Sequence, residues 1–335
     1  MHEFQSEYQK YKQLIDRRLR KLADEGDRKP RSLSVPVRYV LSGGGKRIRP
    51  VLLLLAFQAV GGKFGRSSRA KSNGVLDAAI AIEALHNFTL VHDDIMDNAT
   101  SRRGRATVHT KWDQNTAILV GDELVALAYR SLLKTKGPRV GEIVQVFTEG
   151  MLDVCEGQGF DKDIQYRNDV TLEDYLKMIE KKTGRMVSVA LEIGALIGSG
   201  TRAEVSALRK YGTHIGRAFQ IQDDLLDIAG GRRFGKKIGG DLLEGKKTYL
   251  LLKAYRLAQR EDRHFLERMM NGRGVRTKEV GRAKKMYEKY GVIESTRKEV
   301  RRNVGEAQRA LRRLRQSRAK AMLNWFAEML RDRRF

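Results

Sequence analysis

Two short acidic motifs are the residues of this chain best suited to do chemistry. The first Asp motif, Asp-Asp-Ile-Met-Asp, covers residues 93–97, and the second Asp motif, Asp-Asp-Leu-Leu-Asp, covers residues 223–227. On an α-helix the first and fifth residues share one face a single turn apart, so each motif points at least two carboxylates the same way. Crowded carboxylates repel one another unless a cation lies between them, and such oxygen ligands suit Mg²⁺, which often completes its shell with phosphate and water. The motifs therefore predict a site that binds a diphosphate through magnesium.

Basic segments containing glycine accompany the first Asp motif. Residues 43–50 are Gly-Gly-Gly-Lys-Arg-Ile-Arg-Pro, and residues 101–105, shortly after the motif, are Ser-Arg-Arg-Gly-Arg. Glycine lets the backbone approach an anion closely, and arginine offers paired donors that match phosphate oxygens. An isolated arginine pair usually decorates a surface, but Arg102 and Arg103 follow a motif suited to metal binding. We therefore expect both to grip a diphosphate together with the metal.

A further group of cations is associated with the second Asp motif. Residues 230–247 are rich in glycine and lysine and include Lys236 and Lys246, while Lys182 and Thr183 add a cation and a hydroxyl on an earlier helix. A flexible loop after a metal-binding helix is able to close over a bound diphosphate and exclude water. Such exclusion matters if the reaction passes through a carbocation.

The strongly basic composition limits the partners of the chain. The 335 residues carry 66 Lys and Arg against 41 Asp and Glu, a formal net charge of +25, so an anionic substrate, an anionic membrane surface and nucleic acid all fit. Residues 299–335 contain eleven of these cations and four acids around a loosely helical apolar stripe, and a solvated face over a core stripe is the favoured interpretation. No nucleic-acid-binding motif is recognisable, so nucleic acid is the least favoured partner, and peripheral contact with an anionic membrane stays open.

Cysteine usage and hydropathy indicate a cytoplasmic protein. The single cysteine, Cys155, cannot form an internal disulfide, and no Cys/His cluster suits a structural zinc ion. The most apolar run, residues 51–60, is much shorter than the roughly 20 residues that span a bilayer. The N-terminus also lacks an apolar targeting segment.

The sequence predicts an all-α protein with one domain over residues 1–335. Only four prolines occur, and no low-complexity linker or internal repeat separates two halves. Thr171, three residues ahead of Asp174, resembles an N-terminal capping box, and convincing alternating strands are absent. The predicted helices cover residues 3–23, 51–60, 75 to the first Asp motif, 115–134, 140–160, 172–184, 186–197 and 203–229, with loops at 61–74 and 230–247 and three or four helices after them.

The order of these motifs resembles that of the trans-isoprenyl diphosphate synthases. The resemblance covers residues 37–249 and rests on Gly-Gly-Lys-Arg-Ile-Arg-Pro, Leu-Val-His-Asp-Asp-Ile-Met-Asp with Arg-Arg-Gly, Lys-Thr, Phe-Gln-Ile-Gln-Asp-Asp-Leu-Leu-Asp and Gly-Lys-Lys-Thr. It implies an isoprenoid-synthase-type helical bundle around a central cavity, usually a homodimer. It also implies a prenyltransferase that joins isopentenyl diphosphate head to tail to an allylic diphosphate.

The resemblance assigns roles to individual residues. The implied magnesium ligands are Asp93, Asp97 and Asp223, with Asp94, Asp224 and Asp227 in the same catalytic clusters. The implied contacts to isopentenyl diphosphate are Lys46, Arg49, His86 and Arg103. The implied contacts to the allylic substrate are Arg102, Lys182, Thr183, Gln220, Lys236 and Lys246, among which Lys182 is also counted as catalytic.

The expected reaction follows from what these groups do to charge. Magnesium and the cations stabilise the departing diphosphate, so the allylic C–O bond ionises. The double bond of isopentenyl diphosphate then attacks the allylic cation, and proton loss leaves a chain five carbons longer. No side chain is an obvious general base, so the resemblance implies that the released diphosphate takes the proton.

One aromatic residue bears on product length. Phe88 lies five positions before the first Asp motif, about 7.5 Å along a helix, and is followed by the small Thr89. This arrangement resembles archaeal-type short-chain geranylgeranyl diphosphate synthases, in which such an aromatic floors the hydrocarbon pocket, although ordinary core packing remains an alternative. A farnesyl, bifunctional C15/C20 or longer-chain synthase, a non-catalytic partner subunit and a basic nucleic-acid-binding protein also remain alternatives.

Overall fold

The computed structural model describes residues 2–25, 30–64, 69–229, 239–271 and 274–332, and these are almost entirely helical. The all-α prediction is confirmed. The α-helices are α1 His2–Glu25, α2 Arg31–Leu41, α3 Ile48–Ala59, α4 Arg69–Met96, α5 Val108–Lys111, α6 Gln114–Leu132, α7 Val140–Tyr166, α8 Leu172–Ile179, α9 Arg185–Ile197, α10 Arg202–Ala229, α11 Gly240–Glu244, α12 Tyr249–Leu257, α13 Arg260–Met270, α14 Val280–Lys289, α15 Val292–Ala310 and α16 Arg318–Asp332. Strands β1 Ser101–Arg102 and β2 Arg105–Ala106 form a small antiparallel hairpin, which the sequence did not suggest.

The chain divides into two compact units. Unit one comprises Met1–Met151, Val189–Arg209 and Arg313–Trp325, and unit two comprises Leu152–Ser188, Lys210–Arg312 and Phe326–Phe335. The first Asp motif belongs to unit one, and the second belongs to unit two. A single domain over the whole chain stays a prediction.

Unit one is built around two apolar helices. Nine of the twelve residues of α3 are buried, as expected for a helix that is mostly hydrophobic. Helix α4 packs against both α3 and α6, and α1 and α2 lie against this group. This packing fixes the end of α4 that carries the first Asp motif.

One stretch of α4 has the length and apolar composition of a membrane span. It covers Gly74–Met96, and 72% of its apolar window is buried inside the protein. A buried core helix of a water-soluble protein has the same composition, so this stretch is weak evidence for a membrane span.

Unit two positions a short π-helical turn, Glu180–Gly184, between α8 and α9. Helix α8 begins with the predicted capping box, since Thr171 and Asp174 bond each other's backbone amides. Two glycines let neighbouring helices approach the turn closely. A Cβ on Gly157 would lie 2.4 Å from the Lys182 nitrogen, and a Cβ on Gly216 would lie 2.3 Å from the Gly184 Cα.

Several element boundaries differ from the sequence-based prediction. The predicted loop over residues 61–74 is too long, because α4 begins at Arg69. Helix α2 was not predicted and contains Pro36, which removes one backbone donor but is itself buried in an otherwise helical segment. In the predicted loop over residues 230–247, the described part contains the short helix α11, while residues 230–238 lie outside the described residues.

The C-terminal stripe is part of the core, as the favoured interpretation predicted. Its apolar members are buried, and the Trp325 ring contacts the rings of Phe4 and Tyr8 at centroid distances of 6.2 and 6.4 Å. The buried members are Leu311, Leu314, Met322, Leu323, Trp325, Phe326 and Leu330.

Candidate active site

The first Asp motif occupies the C-terminal end of α4, and its three carboxylates have different surroundings. Asp97 is exposed and Asp93 is half-buried, whereas Asp94 is buried. An Asp94 oxygen accepts a hydrogen bond from Arg102 Nε at 2.7 Å. Burial raises the pKa of Asp94, and the Arg102 charge opposes that rise. Asp94 is therefore engaged in holding Arg102, and Asp93 and Asp97 are the members accessible to solvent.

The hairpin of unit one brings Arg103 to the glycine-rich loop. Its turn is formed by Arg103 and Gly104, both with positive φ, which suits the right-handed twist of a two-residue hairpin. The Arg103 guanidinium donates to the Gly44 carbonyl, and Arg105 lies 3.7 Å above the Tyr39 ring. The structure thus joins two basic segments that are 59 residues apart in sequence.

Arg49 and His86 meet within the same unit. A terminal guanidinium nitrogen of Arg49 lies 3.0 Å from His86 Nε2. Burial, followed by the charges of Arg49 and Arg103, lowers the pKa of His86 well below its usual value. The imidazole is therefore neutral near pH 7 and accepts the hydrogen bond, so His86 orients Arg49. Burial also lowers the pKa of Arg49.

Arg47 is a buried residue of this loop to which the sequence analysis assigned no role. It has a positive φ of 54° and forms ion pairs with Asp16 at 2.8 Å and with Glu83 at 2.7 Å. It also donates to the Gly43 carbonyl, so it ties the loop to α1 and α4. Neighbouring Lys46 is exposed. The sequence alone could not show that Arg47 is buried and Lys46 exposed, because two adjacent cations in a basic loop look alike whichever one points inward.

The two residues predicted to set product length lie on α4 in unit one. Phe88 is half-buried, and its ring meets the His92 ring edge to face, with centroids 4.8 Å apart. The Thr89 hydroxyl donates to the His86 carbonyl at 2.8 Å. Phe88 is thus held by a specific ring contact one helical turn further along.

The second Asp motif lies at the C-terminal end of α10, and its second aspartate, Asp224, is buried like Asp94. Asp224 accepts hydrogen bonds from the Tyr175 hydroxyl at 2.7 Å, the Tyr249 backbone N–H at 2.9 Å and the Gln220 side-chain amide at 3.2 Å. Burial raises the pKa of Asp224 to about 7, although the three donors oppose the rise. Asp223 is half-buried. The sequence did not identify Tyr175, which falls on the apolar face of α8 and has the pattern of a core residue.

The third carboxylate of this motif has a backbone partner. Asp227 accepts from the amides of Gly240 at 3.1 Å and Asp241 at 3.2 Å, so it binds the first turn of α11. Beyond α11, Lys246 forms ion pairs with Glu244 at 2.8 Å and Asp241 at 3.8 Å. The predicted ligand Lys236 lies outside the described residues.

The next residue after Lys246 has a structural partner instead. Lys247 is buried and donates to the carbonyls of Ile164 at 2.7 Å and Gln165 at 3.0 Å, at the C-terminal end of α7. A cation is favourable there because the last carbonyls of a helix carry partial negative charge.

The π-helical turn of unit two carries two further predicted ligands, Lys182 and Thr183. The Lys182 ammonium lies 2.6 Å from an Asp161 oxygen on α7. The Thr183 hydroxyl donates to Gln220 at 3.2 Å, and Gln220 in turn donates to Asp224. The predicted allylic-site residues Thr183 and Gln220 are therefore joined to the motif through hydrogen bonds. Asp161 was not predicted, since one acid on a long polar helix carries no distinctive signal.

The donor set suits a hard divalent cation. Among the described residues, no three His, Cys, Asp or Glu side chains lie close enough together to hold a metal ion by themselves. Mg²⁺ characteristically takes only one or two protein carboxylates and completes its octahedral shell with phosphate and water. Asp93 and Asp97 in unit one and Asp223 in unit two are half-buried or exposed, so each motif offers one or two carboxylates of the kind that Mg²⁺ takes.

Comparison with known proteins identifies the family. The sequence model of the polyprenyl synthetases matches residues 30–290, most of the chain. The chain belongs to the polyprenyl synthetase family. It is a trans-prenyltransferase, and the recognition made from its motifs is confirmed.

Individual members of the polyprenyl synthetase family match over large parts of the chain. The short chain isoprenyl diphosphate synthase of Methanothermobacter thermautotrophicus is 37% identical over 326 residues, which is 97% of each chain. The geranylgeranyl diphosphate synthase of Methanosarcina mazei is 42% identical over 230 residues, which is 68% of each chain.

Solved structures of family members have the same fold. The geranylgeranyl pyrophosphate synthetase of Pyrococcus horikoshii superposes with a TM-score of 0.90 at 32% identity, covering 99% of this chain and 98% of the other. A polyprenyl synthase from Caulobacter crescentus, solved with calcium and isoprenyl diphosphate, superposes with a TM-score of 0.84 at 27% identity and covers 96% and 94%.

Proposed function

We propose that this polyprenyl synthetase condenses isopentenyl diphosphate with C5 to C15 allylic diphosphates and makes geranylgeranyl diphosphate. The observation that carries the proposal is the pair of Asp motifs at the ends of long helices, each with accessible carboxylates and cations within the same unit. Archaeal relatives that make this product support the chain length.

Isopentenyl diphosphate is proposed to bind the basic cluster of unit one. Neutral His86 fixes one terminal nitrogen of Arg49, which leaves the other N–H groups of that guanidinium for phosphate oxygens. The buried ion pairs of Arg47 hold the loop that carries both Lys46 and Arg49. Arg103, which donates to the Gly44 carbonyl, adds a third cationic donor beside Lys46 and Arg49.

The allylic diphosphate is proposed to contact Arg102, Lys182, Thr183, Gln220, Lys236 and Lys246. Within unit two, Asp161 holds the Lys182 ammonium, and Gln220 holds the Thr183 hydroxyl. Both side chains are thus oriented before substrate binds, which lowers the cost of ordering them in the transition state. Asp93, Asp97 and Asp223 would hold Mg²⁺, which when bound offsets the charge of the leaving diphosphate.

The first experiment is a product assay with radiolabelled isopentenyl diphosphate, Mg²⁺ and, separately, C5, C10 and C15 allylic diphosphates. We expect a dominant C20 product after dephosphorylation and separation by length. A C15 or longer main product would keep the enzyme class and remove the chain-length proposal. No turnover with any primer would favour the non-catalytic subunit or, with tight salt-resistant nucleic-acid binding, the nucleic-acid alternative.

Phe88 is proposed to form the floor of the hydrocarbon pocket. Replacing Phe88 with Ala removes the ring and opens space below the growing tail, so we expect products longer by at least one five-carbon unit. Leu76→Ala is the control, because Leu76 is an apolar residue of α4 that lies more than three helical turns before Phe88. Unchanged chain lengths in Phe88→Ala would contradict the pocket-floor role.

The assembly and location of the enzyme are also proposals. The homodimer is proposed from the resemblance to the family, and Ile118 and Leu119, which are 40% and 55% exposed on α6, are apolar side chains that an interface would cover. Light scattering behind a sizing column tests the homodimer. Cosedimentation with anionic and neutral vesicles tests peripheral membrane contact, and cell fractionation tests the cytoplasmic location.

A further inference from the structure

The ring contact of Phe88 depends on a residue outside the predicted site. Phe88 and His92 are four residues apart on α4 and therefore share a face. Their rings meet edge to face at 4.8 Å, at an interplanar angle of 67°. His92 thus occupies the space into which the Phe88 ring would otherwise rotate.

His92 is itself seated in a notch on α6. Its Nε2 lies 3.3 Å from the Ile118 carbonyl oxygen, to which a protonated Nε2 donates. A Cβ built on Gly121 would lie 2.0 Å from His92 Nε2, 2.4 Å from Cδ2 and 2.9 Å from Cε1. Side-chain carbons do not approach other heavy atoms so closely. The absence of a side chain at Gly121 is therefore what leaves room for the imidazole.

The notch at Gly121 differs from two close glycine contacts between helices of unit one. Gly150 makes room for Val189, and Gly194 makes room for the Leu53 backbone, so both serve helix packing. At Gly121 the neighbour is an aromatic ring whose other side contacts the proposed length-setting residue. Gly121 on α6 is therefore linked to Phe88 through the His92 ring, which lies between them.

We propose that Gly121 and His92 are positioning residues that determine product length by holding the Phe88 ring in place. This inference rests on the proposed function, because it assumes that Phe88 floors the pocket. It implies that the length of the product is set jointly by α4 and α6. Substitutions on α6 then change specificity without touching the substrate.

The two substitutions have opposite expected effects. His92→Ala removes the support of the Phe88 ring, which then rotates away and deepens the pocket, so products lengthen by one five-carbon unit. Gly121→Ala forces the imidazole off α6 and toward the Phe88 ring, which narrows the pocket, so the share of C15 product rises.

Double variants test whether the residues act in this order. In Gly121→Ala with His92→Ala, the added methyl no longer meets an imidazole, so the product pattern should return to that of His92→Ala alone. In Phe88→Ala with His92→Ala, the pattern should equal that of Phe88→Ala. Gly141→Ala is the control, because a Cβ there meets nothing within 4 Å.

The measurement is the product-length distribution at matched turnover, with folding checked by circular dichroism. Unchanged lengths in His92→Ala, alongside longer products from Phe88→Ala, would overturn the inference and keep the pocket floor. Unchanged lengths in both would remove the pocket floor and the inference together, while wild-type turnover would still establish the reaction. If Gly121→Ala fails to fold, His92→Ala and its double variant with Phe88→Ala still decide the question.

Discussion

The two Asp motifs share a sequence pattern but are held in different ways. In each motif the second aspartate is buried. Asp94 is paired with one partly exposed cation, whereas Asp224 accepts hydrogen bonds from three neutral donors. The final residues differ as well, since Asp97 is exposed and Asp227 binds the first amides of α11. The second motif is therefore part of the framework of unit two, whereas the first depends on a two-stranded hairpin. A repeated functional motif does not imply a repeated structural role.

The largest expected effect is a loss of kcat when the accessible first aspartate of either motif is replaced. Replacing Asp93 or Asp223 with Asn removes a proposed metal ligand, so we expect kcat to fall by about 10²–10³-fold in either motif. Asp122→Asn, on the exposed face of α6, is the control and should retain activity. Steady-state assays at saturating substrates measure the effect. A loss below tenfold in either variant would remove that residue from the proposed ligand set.

Replacing the buried aspartate of each motif should change the stability of the protein by different amounts. Asp224→Asn turns an amide donor toward existing donors in a buried site, so we expect the free energy of unfolding to fall by about 1–3 kcal/mol. Asp94→Asn should cost about 1 kcal/mol or less, because Arg102 is 37% exposed and water replaces its partner. Urea titrations followed by circular dichroism compare them. Equal losses would mean that the two sites are held equally firmly.

The contribution of one hydrogen bond to the second motif is tested by removing the Tyr175 hydroxyl. Tyr175→Phe removes one donor to Asp224 without leaving a cavity, and we expect a loss of about 1 kcal/mol. Tyr287→Phe is the matched control, because Tyr287 is also fully buried and its hydroxyl has no hydrogen-bond partner among the described residues. The same urea titration should show little or no loss for the control. Matching losses would assign the effect to general packing.

The smallest stability effect is expected at the hairpin. Arg102→Ala breaks the ion pair with Asp94, which should cost less than about 1 kcal/mol because the Arg102 end of the pair is 37% exposed and water takes its place. If Arg102 contacts the allylic diphosphate, the same variant raises the KM for that substrate. Initial rates at varied allylic diphosphate, compared with varied isopentenyl diphosphate, distinguish the two effects. A larger KM change for isopentenyl diphosphate would reassign Arg102 to the other substrate.

Sequence patterns predicted the fold class, the family and most long helices, because apolar periodicity and motif order are local signals. They did not predict which cations turn inward. Arg47 and Lys247 are buried next to the exposed Lys46 and the half-buried Lys246, and only tertiary packing distinguishes each pair. The partners Tyr175 and Asp161 were missed for the same reason, since both reach the proposed site from distant helices.

The π-helical turn at Glu180–Gly184 also sets the phase of the helices around it. A π-turn accommodates one more residue than the α-helical turn it replaces, so the side chains that follow it within unit two are rotated by about 100° relative to a continuous α-helix from α8. The residues of unit two before and after the turn therefore follow different helical phases. Deleting one residue within the turn would restore a regular helix, but it would point Lys182 and Thr183 away from Asp161 and Gln220. The number of residues in this turn is therefore constrained, as the length of a loop is constrained in other folds.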